Sequence, residues 1–132
     1  MTRRTTCVVL GIAVALACAG GAWAHQTATN NGVTVTVHVA PDDEPVVGAT
    51  SVIGVTRVTT RSGRFAWANC RCTVEVRNAE GQVLRKGLAG PRTEFTFPEA
   101  GAYEIRVAGR VKRGKVWRWF KVPFVVRAND PA

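Results

Sequence analysis

The chain has 132 residues, with 18 Lys and Arg against 9 Asp and Glu, and its formal net charge is +9. We expect a chain of this length to form one small domain. The positive charge favours contact with anionic lipid, glycan or nucleic acid, but it does not indicate a fold.

The first 24 residues have the three parts of a secretory signal peptide. Residues 1–4 are short and basic, residues 7–19 are almost wholly apolar, and Ala22-Trp23-Ala24 is a small-x-small cleavage sequence. The apolar run is too short for a membrane span, so we predict no transmembrane segment in the mature chain. Cleavage after Ala24 would leave 108 of the 132 residues, beginning at His25 and carrying a net charge of +7. We therefore expect a secreted or periplasmic protein.

A lipoprotein is the alternative product of export. Residues 15–18, Ala-Leu-Ala-Cys, resemble a bacterial lipobox, in which the cysteine is lipidated and anchors the protein. The usual pattern has Leu where Ala15 stands and a small residue where Leu16 stands, so we favour soluble export. An anchor at Cys18 would make His25 an internal residue without a free amine.

The first half of the mature chain predicts a flexible segment followed by two strands. Residues 25–31 lack apolar periodicity and are expected to form a flexible leader. Residues 32–40 alternate valine with threonine and histidine, which predicts a half-buried strand. Residues 49–60 are rich in Val, Ile and Thr and predict a second strand, whereas residues 65–69 are an irregular aromatic stretch.

The second half predicts the remaining strands. Residues 70–77 alternate between two faces and predict a strand, with Cys70 and Cys72 on the same face as two valines. Residues 82–88 predict the strand that pairs with it after a hairpin turn. Three further strands follow: residues 93–97, a strand with Tyr103, Ile105 and Val107 facing inward, and residues 116–128. Pro123 indicates that the last strand is an edge strand or has a bulge.

Seven or eight short strands without a helical period predict an all-β protein. We expect a single immunoglobulin-like antiparallel β-sandwich over residues 32–128, with a C-terminal tail at 129–132. The strongest support is the segment from Phe95 to Val107, which resembles the corner at which a tyrosine tethers the chain between two sheets.

His25 and His38 are the only histidines of the chain and are the candidate metal ligands. A free α-amine and an imidazole on His25 would form a nitrogen chelate suited to a copper ion. The intervening leader would allow His25 to fold back beside His38, and Asp42 and Asp43 could add oxygen ligands. The alternative for His38 is an ordinary surface histidine.

Cys70 and Cys72 form the second candidate site. In an extended strand their Cα atoms would lie roughly 6.5–7 Å apart, which would require a bulge or kink for a disulfide. Three interpretations remain open, in decreasing order of preference: a redox-sensitive disulfide, two small core side chains, and a pair of thiolates that holds Cu(I).

A basic and aromatic hairpin is the third candidate. Its cations are Arg110, Lys112, Arg113, Lys115, Arg118 and Lys121, interleaved with Trp117 and Trp119. This pattern is typical of surfaces that bind polyanions, and for an exported protein anionic lipid or glycan is a more plausible partner than nucleic acid. The alternative is a hairpin tip that is kept soluble by charge.

No pattern of a catalytic nucleophile with a nearby histidine is found, so we expect a binding or structural module and not an enzyme. The oligomeric state is not indicated by the sequence.

The chain resembles small exported bacterial immunoglobulin-like domains, the CopC-like and YtkA-like copper-handling proteins. The resemblance rests on three features: a histidine that signal cleavage would expose, a valine-rich first strand that leads into residues 41–45, and the Phe-x-Phe-Pro-x-x-Gly-x-Tyr corner. In the CopC-like group the N-terminal histidine binds Cu(II) together with a later Asp-x-His pair. This chain has no such pair and no methionine cluster, so the resemblance extends to His25 alone.

The leading hypothesis is therefore an exported module that binds a copper ion through His25 and His38. The alternative is an envelope-associated accessory or adhesion domain whose basic hairpin binds an anionic surface.

Overall fold

Nine β-strands make up most of residues 25–88 and 90–132, which are the residues described by a computed structural model. The predicted signal peptide and Cys18, the alternative lipid anchor, lie outside these residues. The strands are β1 (Gln26–Asn30), β2 (Val33–Val39), β3 (Thr50–Thr60), β4 (Gly63–Phe65), β5 (Cys70–Asn78), β6 (Val83–Leu88), β7 (Arg92–Thr96), β8 (Gly101–Arg113) and β9 (Val116–Ala128). A 3₁₀ turn, Trp67–Asn69, precedes β5.

The strands form two antiparallel sheets arranged as a sandwich. One sheet has the order β1-β2-β3, with β4 and β7 paired to opposite ends of β3. The other has the order β6-β5-β8-β9. The first sheet thus contains β2, β3 and β7, while β5, β8 and β9 lie in the second. This is how an immunoglobulin-like sandwich distributes its strands, and the predicted fold class is confirmed.

The core lies between the sheets and is built by alternation along each strand. Val33, Val35, Val37 and Val39 of β2 are all at most 2% exposed, and they face the buried positions of β5, β8 and β9. Phe95 and Phe97 stack edge-on with ring centroids 4.8 Å apart, and Phe97 contacts Tyr103 in the same way at 4.9 Å. The inward faces predicted from the sequence are therefore confirmed.

Tyr103 forms the predicted tether at the start of β8. Its hydroxyl donates to the Glu99 carbonyl oxygen at 2.7 Å and accepts from the Glu99 backbone N–H at 3.1 Å. Because the ring is 4% exposed, these bonds satisfy a polar group that would otherwise be buried without a partner. The tether holds the chain where it crosses from β7 to β8.

The segment predicted as a flexible leader, residues 25–31, differs from that prediction because it contains strand β1. Asn31 and Gly32 both have positive φ, at 50° and 74°, which is the backbone of a two-residue hairpin turn. The turn pairs β1 with β2, and threonine hydroxyls meet across the pair at 2.7 Å (Thr29 and Thr34). The strand count is nine because β1 and the short β4 add to those predicted.

Side-chain amides of the β1 region also bind the free edge of β9. Gln26 donates to the Val125 carbonyl oxygen, and Asn30 accepts the Lys121 backbone N–H at 3.0 Å. Asn31 donates to the Trp119 carbonyl oxygen at 2.7 Å. The prediction that Pro123 marks an edge strand is confirmed, since β9 is the last strand of its sheet. The β1 hairpin occupies part of that edge and links the two sheets.

Within the described part of the chain, no helix is long and apolar enough to cross a membrane.

Candidate metal centre and cationic face

His25 and His38 lie side by side at the open end of the β1–β2 hairpin. Gln26 pairs with Val37, so continuing the antiparallel register by one residue places His25 opposite His38. Their ring centroids are 5.0 Å apart and the ring planes meet at 67°. Both rings lie on the outer face of the first sheet, because Val37 and Val39 face the core. The β1 hairpin thus brings together two side chains that are 13 positions apart.

Asp43 contacts His38 from the turn that follows β2. Its Oδ1 accepts the Val39 backbone N–H at 2.6 Å and lies 3.2 Å from His38 Nδ1. The two side-chain atoms approach closely, but they lack the alignment of a hydrogen bond. His38 Nδ1 and Asp43 Oδ2 are both buried without a hydrogen-bond partner among the described residues. Asp42, the other acid weighed as an oxygen ligand, is exposed.

The His38 side chain also borders open space. A cavity of about 370 Å³ lies beside it, lined in part by Gly54, Thr56, Pro91 and Arg92. The side chain is 31% exposed, so a ligand has access to the ring from solvent. Within residues 25–88 and 90–132, no group of three or more His, Cys, Asp or Glu side chains is arranged to hold a metal ion. The described side chains therefore offer two imidazoles, and a third donor would have to come from elsewhere.

Cys70 and Cys72 lie on the inner face of the other sheet, with their sulfur atoms at disulfide-like distance. Their Cα atoms are 5.1 Å apart, closer than the roughly 6.5–7 Å of an extended strand and inside the range of disulfides. β5 nevertheless keeps an unbroken register with β8, so the expected bulge is absent from this pairing. Both side chains are at most 9% exposed. The sandwich core separates them from the histidines, so the two candidate sites are distinct.

Gly109 makes room for the cysteine pair, a role that no local sequence signal indicates. It pairs with Cys72, and a Cβ atom at Gly109 would lie 2.8 Å from Cys72 Sγ and would also meet the Arg71 carbonyl oxygen. Atoms do not approach this closely without displacement. Only glycine fits here without moving β5.

Four of the predicted hairpin residues cluster around Trp117 on the outer face of the second sheet, Trp117 itself included. We call the following set the cationic face: Arg71, Arg110, Lys112, Trp117 and Trp119. The Arg110 guanidinium carbon lies 4.7 Å from the Trp117 ring centroid and 5.3 Å from that of Trp119. Arg71 and Lys112 approach Trp117 at 5.1 and 5.9 Å. The indole of Trp117 is therefore surrounded by three cations, each within cation–π range.

The other predicted cations are placed differently. Lys121 lies on the same outer face, next to Trp119 along β9. Arg113 is the last residue of β8, and Lys115 lies in the hairpin turn. Arg118 points to the opposite side, where its Nη1 approaches the Asn31-Gly32 turn. Arg71 could not be predicted as part of this set from the sequence, because it comes from β5 and joins the set only through its pairing with Arg110.

Comparison of the chain with protein-family models, curated proteins and solved structures found no match in any of the three.

Proposed function

We propose that the protein is an exported module that binds one copper ion at the open end of the β1–β2 hairpin. The observation that carries the proposal is the 5.0 Å approach of the His25 and His38 rings. Two imidazoles presented together on the solvent side of a sheet, beside a cavity, offer nitrogen donors without any need to rearrange the backbone.

The third donor in this proposal is the α-amine of His25. Removal of residues 1–24 would convert the His25 peptide nitrogen into a free amine, next to its own imidazole. Amine and imidazole nitrogens suit the tetragonal geometry of Cu(II), and copper stands highest in the affinity order of the divalent first-row metals. This arrangement agrees with the lack of a three-side-chain cluster among the described residues, since one donor belongs to the main chain.

Asp43 is a positioning residue in this proposal and not a metal ligand. Metal-bound histidines commonly donate their second ring N–H to a carboxylate, which fixes the ring and raises its basicity. With Asp43 Oδ1 3.2 Å from His38 Nδ1, a small rotation of either side chain makes that hydrogen bond and leaves His38 Nε2 for the metal. His38 Nδ1, which is buried without a hydrogen-bond partner among the described residues, supports a site in which this hydrogen bond forms when the ion binds.

The resemblance to CopC-like proteins supports the same conclusion at its one matching position, His25. The Asp-x-His pair of that group is replaced in this proposal by His38 with Asp43. Cys70 and Cys72 take no part in the site and are proposed to form a disulfide that stiffens β5.

The test is intact mass spectrometry under native conditions on protein secreted by an export-competent host, with and without added Cu(II). The expected species begins at His25 and gains one copper ion. The unprocessed precursor, whose His25 nitrogen is part of a peptide bond, serves as the matched control and is expected to bind far more weakly. His25→Ala and His38→Ala should each abolish stoichiometric binding.

Asp43→Asn separates a positioning role from a ligand role. It should weaken copper binding about 10- to 100-fold without changing the stoichiometry, whereas Asp42→Asn, which makes the same change next to it, should have no effect. A mature chain that begins elsewhere, a lipid adduct on Cys18, or equal copper binding by the precursor and the processed chain would contradict the proposal.

A further inference from the structure

We propose that the β8–β9 hairpin docks the protein on the surface of an anionic phospholipid bilayer through the cationic face. This inference is independent of the copper site, which lies on the other sheet. It rests on the distribution of charge over the outer surface of the second sheet, on the order imposed on Arg110, and on the apolar side chains exposed at the hairpin.

Charge is balanced at one end of this surface and unbalanced at the other. Away from the hairpin turn, Glu75 pairs with Arg77 and Glu104 pairs with Arg106, each at 2.7 Å. Toward the turn, Arg71 and Arg110 lie directly opposite each other, and no carboxylate contacts either of them among the described residues. Like charges in directly opposed strand positions destabilise a sheet. An anionic partner would relieve this repulsion.

The tryptophans hold the central arginine in place. Arg110 lies within 5.3 Å of both indole centroids, so its guanidinium group packs against Trp117 and Trp119 before any ligand arrives. A guanidinium group stacked on an aromatic ring keeps its N–H donors available at the edge, where they can form paired hydrogen bonds to a phosphate. The loss of side-chain freedom on binding is correspondingly small.

Exposed apolar side chains favour a bilayer over a soluble polyanion. Trp119 is 65% exposed, and Val125, on the same outer face of β9, is 64% exposed. Tryptophan partitions to the headgroup region of bilayers, and basic side chains beside an apolar surface bind anionic lipids. An acidic polysaccharide offers sulfate or carboxylate groups to the arginines, but it offers no apolar phase to Trp119 and Val125.

The experiment is co-sedimentation of the secreted protein with vesicles of phosphatidylcholine alone and of phosphatidylcholine mixed with phosphatidylglycerol. We expect binding to the anionic vesicles only, with a decrease as salt is raised. At about 1 kcal/mol for each cation near the surface, the double variant Arg110→Gln, Lys112→Gln should bind about 30-fold more weakly. Trp119→Ser should remove most of the blue shift of tryptophan emission that accompanies binding.

The matched control is Arg85→Gln, Lys86→Gln, which removes the same two charges from exposed positions of β6. It should weaken vesicle binding no more than about threefold, since these side chains lie away from the hairpin. His25→Ala should leave vesicle binding unchanged. Three results would overturn the proposal: equal binding to neutral vesicles, as a lipid anchor at Cys18 would give; an equal effect of the control pair; or binding to a soluble acidic polysaccharide without binding to vesicles.

Discussion

Gly109 and Cys72 face each other across the β5–β8 pair so closely that a methyl group on Gly109 would lie 2.8 Å from Cys72 Sγ. Gly109→Ala is therefore expected to lower the free energy of unfolding by about 1–3 kcal/mol, the usual cost of overpacking a core. Urea unfolding followed by tryptophan fluorescence measures it.

Gly54→Ala is the matched control for this substitution. Gly54 also lies within a strand, but its added methyl group would meet only the His38 carbonyl oxygen, at an ordinary 3.7 Å. The expected change is near zero or slightly stabilising, because alanine restricts the unfolded chain. If both variants were equally stable, the close pairing of β5 with β8 at the cysteines would be incorrect.

Reduction of the cysteine pair should destabilise the protein only modestly. A bond between positions separated by two in sequence closes a very short loop, so the chain-entropy estimate is about 1.5 kcal/mol, below the usual 2–4 kcal/mol. The oxidised protein should be two hydrogens lighter by intact mass, and it should lose this increment of stability on reduction. Cys70→Ala, Cys72→Ala should be insensitive to reductant. A native protein that carries two free thiols would show that the pair is only part of the core.

The strands that could be predicted from sequence are those that bury one face. The valines of β2 alternate with polar residues, and the aromatic residues around Phe97 and Tyr103 mark the corner, because burial between two sheets imposes a period of two. The strand β1 has no such pattern, since Ala28 is its only apolar residue. It is held by the Asn31-Gly32 turn and by hydrogen bonds from side-chain amides to the backbone of β9. The Asn-Gly pair was the one local signal that could have indicated it.

The candidate sites could likewise be predicted only in part from the sequence. The histidines and the hairpin cations are visible as residue types, but their neighbours depend on strand pairing. Arg71 joins the cationic face because β5 pairs with β8, and Asp43 reaches His38 because the chain turns back after β2. Contacts between residues that are distant in the sequence cannot be predicted from composition or periodicity alone.

Tyr103→Phe tests the corner that connects the sheets. The substitution removes only the hydroxyl group, which donates to and accepts from the backbone of Glu99. The Glu99 N–H and carbonyl then lose a partner in a partly buried position, so stability should fall by about 1–2 kcal/mol. Thermal and urea unfolding measure the change. Thr96→Ala, which removes an exposed hydroxyl group nearby, should alter stability by less than about 0.5 kcal/mol. An unchanged Tyr103→Phe protein would mean that the tether contributes nothing to the fold.

The hydrogen bonds between side-chain amides of β1 and the backbone of β9 should determine how well the two histidines are held together. Gln26→Ala, Asn30→Ala removes two of these bonds, including the acceptor of the Lys121 backbone N–H. The Lys121 amide should then exchange faster with deuterium. Because His25 precedes the loosened strand, copper binding should weaken about fivefold, corresponding to a total loss of ~1 kcal/mol. Asn69→Ala, which removes an amide side chain from the 3₁₀ turn, is the control and should change neither quantity. If the Lys121 amide exchanged faster but copper bound as tightly as before, the affinity for copper would not depend on the packing of β1. Unchanged exchange would contradict the amide contacts themselves.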